Sequence, residues 1–180
     1  MKIFFMSDIH GSSHFLNKAI ECYKKEGAQY MVILGDALYH GPRNHIPMGY
    51  NPKEVAEKLN FYRNNIIAVR GNCDSEVDQM LINYPMMSDY NIIFLNNRRI
   101  FLTHGHLYNK DNMPPLVEGD IFIYGHTHIP LIETFNGITM INPGSISIPK
   151  GESENSYGIL EEGVFTIKNL EGKIILEEEI

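Results

Sequence analysis

Five short polar segments carry the residues most suited to chemistry: Asp8-Ile9-His10, Gly35-Asp36, Gly71-Asn72-Cys73-Asp74, Thr103-His104-Gly105-His106 and Gly125-His126-Thr127-His128. Carboxylates bring negative charge and can bridge two cations, neutral imidazoles suit zinc and the transition metals, and an amide oxygen adds a neutral ligand. The set therefore suits a mixed nitrogen and oxygen metal site, and its several histidines disfavour calcium or magnesium, which prefer oxygen shells. Each piece alone is weak, because an isolated Asp-x-His or Gly-Asp is more often a turn or a cap. Gly-His-x-His is stronger, since alternate residues can aim both rings the same way. The ordered set of five carries the weight.

These segments directly follow apolar runs, which are the elements that must position them. Lys2 to Met6, Tyr30 to Leu34 and Ile66 to Val69 are continuous apolar runs of the kind found in strands covered on both faces. Between them, Phe15, Leu16, Ala19, Ile20 and Tyr23 have helical spacing, with Ser12 or Ser13 as N-cap and Gly27 as the stop, and Pro52 to Tyr62 repeats the pattern through Val55, Ala56 and Leu59. Strand, helix, strand, helix, strand predicts parallel strands with helical crossovers. Loops at the carboxyl ends of such strands line the ligand crevice.

After Asp74 the strands come closer together: Ile92 to Leu95, Arg99 to Leu102, Ile121 to Tyr124, Leu131 to Phe135 and Ile138 to Ile141. Asn96-Asn97 and Asn136-Gly137 read as hairpin turns, and Tyr157 to Glu179 as two or three more strands. A parallel half packed on a more antiparallel half, with helices outside, is the expected arrangement. Residues 1–180 read as one domain.

Composition narrows the function classes. The 180 residues hold 15 basic and 22 acidic side chains for a net charge of −7, with 43% apolar residues. That is an ordinary globular balance. The negative charge counts against stable nucleic acid or membrane binding. Two cysteines cannot form a disulfide framework, and the apolar run Ile3 to Met6 is too short for a signal-peptide core. An intracellular, cytoplasmic protein is expected. No Gly-x-Ser-x-Gly is present, which disfavours a serine hydrolase.

The ordered motifs resemble those of the calcineurin-like metallophosphoesterases, matching at Asp8, His10, Asp36, Asn72, His104, His126 and His128. Within that family the similarity is greatest to the small bacterial phosphodiesterases of the YfcE type. These in turn resemble archaeal phosphodiesterases and the eukaryotic retromer subunit of this fold. Asn142-Pro143-Gly144-Ser145 is similar to a loop that follows the last histidine motif in compact members. The resemblance implies an α/β fold, a mixed β-sandwich flanked by helices in a four-layer αββα order. It also implies a two-metal site: Asp8, His10 and His128 on one ion, Asn72, His104 and His126 on the other, with Asp36 bridging. Manganese is favoured, and zinc, nickel, cobalt or iron suit the same ligands. The implied activity is hydrolysis of a small phosphodiester by a metal-bridging hydroxide. A phosphomonoesterase, a nuclease for short oligonucleotides and a non-catalytic protein-binding scaffold are the alternatives, and homo-oligomer formation is left open.

One position departs from the family pattern. A histidine usually follows the asparagine of the third motif, whereas here Cys73 does. A thiol is a weaker general acid than imidazole near neutral pH, so Cys73 and His40 are the candidates for protonating the leaving alkoxide, while Asn72 counts among the catalytic residues as an implied metal ligand. Arg43, in the long segment Ala37 to Asn51, is the candidate phosphate contact, and His106 a candidate for orienting the site.

Overall fold

The computed structural model describes residues 1–95 and 97–180. Of the expected Asn96-Asn97 turn, Asn96 lies outside the described residues. The chain begins with strand β1 (Lys2–Met6), helix α1 (Ser13–Glu26), β2 (Tyr30–Ile33), α2 (Pro52–Phe61) and β3 (Ile66–Ala68). β1 pairs in parallel with β2 and β2 with β3, as the alternation of elements predicts. Helix α1 starts where Ser12 Oγ accepts the Phe15 N–H at 3.2 Å and stops at Gly27, whose φ of 67° a residue with a Cβ adopts at a cost. In α2 the Asn51 side chain caps the Glu54 N–H, and Pro52 opens the first turn, where a missing N–H costs nothing.

A short helix α3 (Glu76–Leu81), not evident from periodicity, follows the third polar segment. Six residues with no buried side chain leave no apolar stripe to read. Then come β4 (Tyr90–Leu95), β5 (Arg98–Thr103), β6 (Ile121–Ile123), β7 (Leu131–Phe135), β8 (Ile138–Asn142), β9 (Ser156–Glu161), β10 (Val164–Asn169) and β11 (Ile174–Glu179). They form two sheets, ordered β11-β10-β9-β1-β2-β3 and β4-β5-β6-β8-β7.

The expected division into a parallel half and an antiparallel half does not hold. The C-terminal strands join the first sheet, with β9 antiparallel to β1, and the second sheet contains the parallel pairs β5–β6 and β6–β8. The reason is the chain path: β9 reaches the free edge of β1, and the connections after β5 and β6 are long enough to cross over.

The apolar side chains sort into layers. Ile3, Phe5, Val32 and Leu34 meet Ile100, Leu102, Ile121 and Ile141 between the sheets. Phe4, Met6, Met31 and Ile33 on the other face of the first sheet bury Leu16, Ala19, Tyr23, Val55 and Leu59 of the helices. The outer face of the second sheet, Phe101, Phe122 and Met140, is covered by Tyr108, Met113 and Leu116 of the β5–β6 connection. That stretch contains Pro114-Pro115, which removes the N–H groups a helix there would need. Among the described residues no helix is long and apolar enough to cross a membrane.

Candidate metal centre

Five loops at one end of the sandwich bring the polar segments together. Asp8 and His10 leave β1, Asp36 follows β2, Asn72 follows β3, His104 leaves β5, and His126 and His128 follow β6. The backbone is fastened between loops: Asp8 N–H donates to Gly35 O at 3.2 Å, His10 N–H to Asp36 O at 2.9 Å, and Gly125 N–H to His104 O at 2.9 Å. Asp8, His10, Asp36, His126 and His128 all adopt positive φ, between 48° and 67°. For a residue with a Cβ this left-handed conformation costs roughly 1–2 kcal/mol. Five such residues in one cluster mark strain held in place by the surrounding fold. Gly71 and Gly125 permit the close approach, since a Cβ would lie 2.0 Å from Asp36 Oδ1 at the first and 1.9 Å from Ser7 Oγ at the second.

The rings are aimed by backbone carbonyls. His10 Nδ1 donates to Tyr39 O at 2.9 Å, His104 Nδ1 to Leu34 O at 2.6 Å and His128 Nδ1 to Ile148 O at 2.5 Å. A carbonyl oxygen only accepts, so the proton of each neutral ring sits on Nδ1 and Nε2 presents a lone pair to the interior. His10 Nε2 and His128 Nε2 then face one another at 3.3 Å, with Asp8 Oδ1 3.5 and 3.1 Å away. His104 Nε2 lies 3.1 Å from Asn72 Oδ1 and 3.5 Å from Asp36 Oδ2, and Asp36 Oδ2 is 3.7 Å from His10 Nε2. Asp36 thus stands between both groups. The His126 ring is 5.1 Å from that of His104, centroid to centroid, and the backbone N–H of His126 donates to Asp8 Oδ2 at 3.0 Å.

Lone pairs facing lone pairs in a buried space repel unless a cation sits among them. Asp8 Oδ1 is buried with no hydrogen-bond donor aligned to it. This orphaned oxygen and the convergent Nε2 atoms fit a metal ion. Without one, the groups answer each other electrostatically. Burial raises the Asp8 carboxyl, but the facing His10 and His128 rings hold it well below the usual range, and His104 does the same for Asp36. Burial lowers His104, yet Asp36 and Asp8 outweigh it and push the ring up to about 9. His106 behaves oppositely. Burial, then the nearby His104 and His126 rings, bring it down to about 4, so it is neutral at pH 7.

A pocket of about 330 Å³ opens over the cluster, and Arg43, Asn72, Cys73, His126, His128 and Lys150 are among its lining residues. Cys73 N–H donates to Asp36 Oδ1 at 2.8 Å, and its sulfur accepts from Asn72 Nδ2 at 3.2 Å. Burial and the Asp36 carboxylate push the thiol pKa up, keeping it neutral. Both cysteines are free. Arg43 lines the pocket, whereas the His40 ring is placed edge-on against Tyr39 and Tyr50. Several supports lay outside the sequence reading. Asp74 accepts the N–H groups of Asp36, Ala37 and Gly71, and the Ser145 and Ser147 hydroxyls donate to Asp8 O at 2.9 and 2.8 Å. Asp74 and Ser145 lie inside the quoted motifs, so a signal existed for them; Lys150 had none.

Comparisons with known proteins agree with this fold. Residues 1–163 match the calcineurin-like phosphoesterase superfamily domain. The chain is 48% identical over 178 residues to phosphodiesterase YfcE of Escherichia coli K12, covering 99% of this chain and 97% of that one. It is 31% identical over 152 residues to phosphodiesterase MJ0936 of Methanocaldococcus jannaschii, covering 80% and 83%. The solved structure of the E. coli phosphoesterase superposes with a TM-score of 0.98 over 100% of both chains. Vps29 of Entamoeba histolytica, solved with zinc, shares the fold at a TM-score of 0.61 and 18% identity, covering 100% of this chain and 98% of that one.

Proposed function

The chain belongs to the calcineurin-like phosphoesterase superfamily, and from that premise we propose that it is a metal-dependent phosphodiesterase working at the cluster around Asp36. The observation that carries this reading is the pair of convergences, His10 Nε2 on His128 Nε2 and His104 Nε2 on Asn72 Oδ1, with the Asp36 carboxylate between them. Asp8, His10 and His128 would hold one divalent ion, Asn72, His104 and His126 a second, and Asp36 would be shared. Manganese is the favoured metal. Such ions supply Lewis acidity, acidifying an attacking water and neutralising the oxygens of a phosphoryl group during in-line displacement. The chain's own residues hold the Nε2 lone pairs in place through the three Nδ1–carbonyl bonds, and Arg43 offers a charged fork for a phosphoryl oxygen. A diester rather than a monoester is supported by the 48% identical phosphodiesterase. A scaffold without catalysis is disfavoured because all seven ligand-type residues are kept.

Metal-stripped protein titrated with individual ions should gain turnover of aryl phosphodiesters. Asp36→Asn should reduce it by at least about a hundredfold, because the shared carboxylate is removed. Full activity in the variant, or none with any metal, would sink the assignment. With a neutral thiol in place of imidazole at Cys73, proton donation to the leaving group is weak, so the rate should depend steeply on leaving-group pKa. A flat dependence across a series of substituted aryl esters would refute that role of Cys73.

A further inference from the structure

Cys73 forms a wall between two pockets. On one side is the 330 Å³ pocket over the metal-ligand cluster, and on the other a pocket of about 310 Å³ lined by Tyr39, Tyr50, Pro52, Val77 and Asp78. The first carries two cations from separate loops, Arg43 and Lys150, and neither forms an ion pair among the described residues. Among the described residues, the second carries no cation and Asp78 as its one charged lining residue. Both cationic positions are anchored. Lys150 N–H donates to His128 O at 3.2 Å, and its carbonyl accepts Ser153 N–H at 3.1 Å and Ser153 Oγ at 2.6 Å. Arg43 lies in a turn closed by Asn44 Nδ2 donating to His40 O at 2.9 Å, with Gly41 against the Cys73 sulfur.

Accepting the phosphodiesterase reading, on which this inference rests, we propose that the site selects diesters in which one ester arm bears a second anionic group, held by Lys150 while Arg43 serves the phosphoryl group. A phosphodiester has one negative charge, and the metal ions already answer it. With Arg43 on the phosphoryl group, Lys150 is a further unpaired cation among the described lining residues of the same pocket, and it matches an additional carboxylate or phosphate on the substrate. The opposite pocket repels such an arm through Asp78 and offers aromatic and apolar walls to a neutral one. Lys150 is a specificity residue, touching an arm and not the reacting atoms.

The test uses manganese-loaded protein and 4-nitrophenyl phosphodiesters that share the leaving group and differ in the second arm: methyl, 2-carboxyethyl or choline. The carboxyethyl ester should show a KM about fivefold below the methyl ester, with choline highest, because the arm contributes binding and no chemistry. Lys150→Gln should bring the carboxyethyl-to-methyl KM ratio close to one, Lys150→Arg should keep it, and Lys24→Gln, one charge removed from helix α1, should leave it as in the wild type. Equal KM values for all arms in the wild type, or a ratio that survives Lys150→Gln, would overturn the proposal while leaving the phosphodiesterase reading intact. No hydrolysis of any of the esters would remove both.

Discussion

Asp74 illustrates how a residue outside the candidate ligand set fixes the geometry of one inside it. Its Oδ2 accepts the Asp36 N–H at 2.8 Å and the Gly71 N–H at 2.7 Å, and its Oδ1 accepts the Ala37 N–H at 2.9 Å. Burial and the neighbouring Asp36 push its pKa up to about 6, and the three N–H donors pull the other way. These bonds hold Asp36 at its φ of 54°. An amide has only one oxygen, so Asp74→Asn turns an NH₂ toward at least one of the buried N–H groups. The variant should lose roughly 1–3 kcal/mol in urea unfolding and bind manganese more weakly. Unchanged metal affinity would show that Asp36 keeps its conformation without this carboxylate.

At the scale of elements, helix α1 is tied to the first sheet by more than its apolar face. Glu26, its last residue, accepts Lys168 Nζ of β10 at 2.8 Å and Tyr157 OH of β9 at 3.0 Å, and its other oxygen is 3.8 Å from Lys2 Nζ of β1. Phe4 stacks on Tyr157 beside it, ring centroids 4.7 Å apart. Burial raises the Glu26 pKa, but Lys168 and Tyr157 outweigh it, so the folded value lies below the ordinary one. A carboxyl depressed by folding adds stability above its unfolded pKa, near 4.5, and loses it as pH falls through the folded value. Glu26→Gln should therefore cost about 1 kcal/mol at pH 7 and progressively less as pH drops below about 4.5. A constant difference between pH 7 and pH 3 would contradict this origin.

For the molecule as a whole, the candidate metal cluster sits where loops from both sheets meet, so binding of an ion there should stabilise the entire fold. A ligand that binds only the folded state at a hundred times its Kd adds about 2.7 kcal/mol. For a chain of this length each kcal/mol shifts Tm by roughly 2–4 °C. Calorimetry with saturating manganese should show Tm higher by about 5–10 °C than with chelator. Asp36→Asn should shrink that gap. Identical transitions with metal and with chelator would mean that the cluster does not bind the ion.

The sequence by itself determined the candidate ligand residues, their order along the chain and the β1-α1-β2-α2-β3 start. Residue type and local periodicity carry that information: an apolar run followed by Asp-x-His looks the same whatever surrounds it. Tertiary structure alone decided where β9, β10 and β11 pair, because strand partners are set by distant segments competing for an open edge. It also decided that Asp8, His10, Asp36, His126 and His128 take left-handed φ, which Asp and His tolerate more often than most residues but which residue type alone does not announce. Lys150 reaches the pocket for the same reason. A lone lysine between Pro149 and Gly151 has no local pattern, and its backbone is held beside the site by hydrogen bonds to His128 and Ser153.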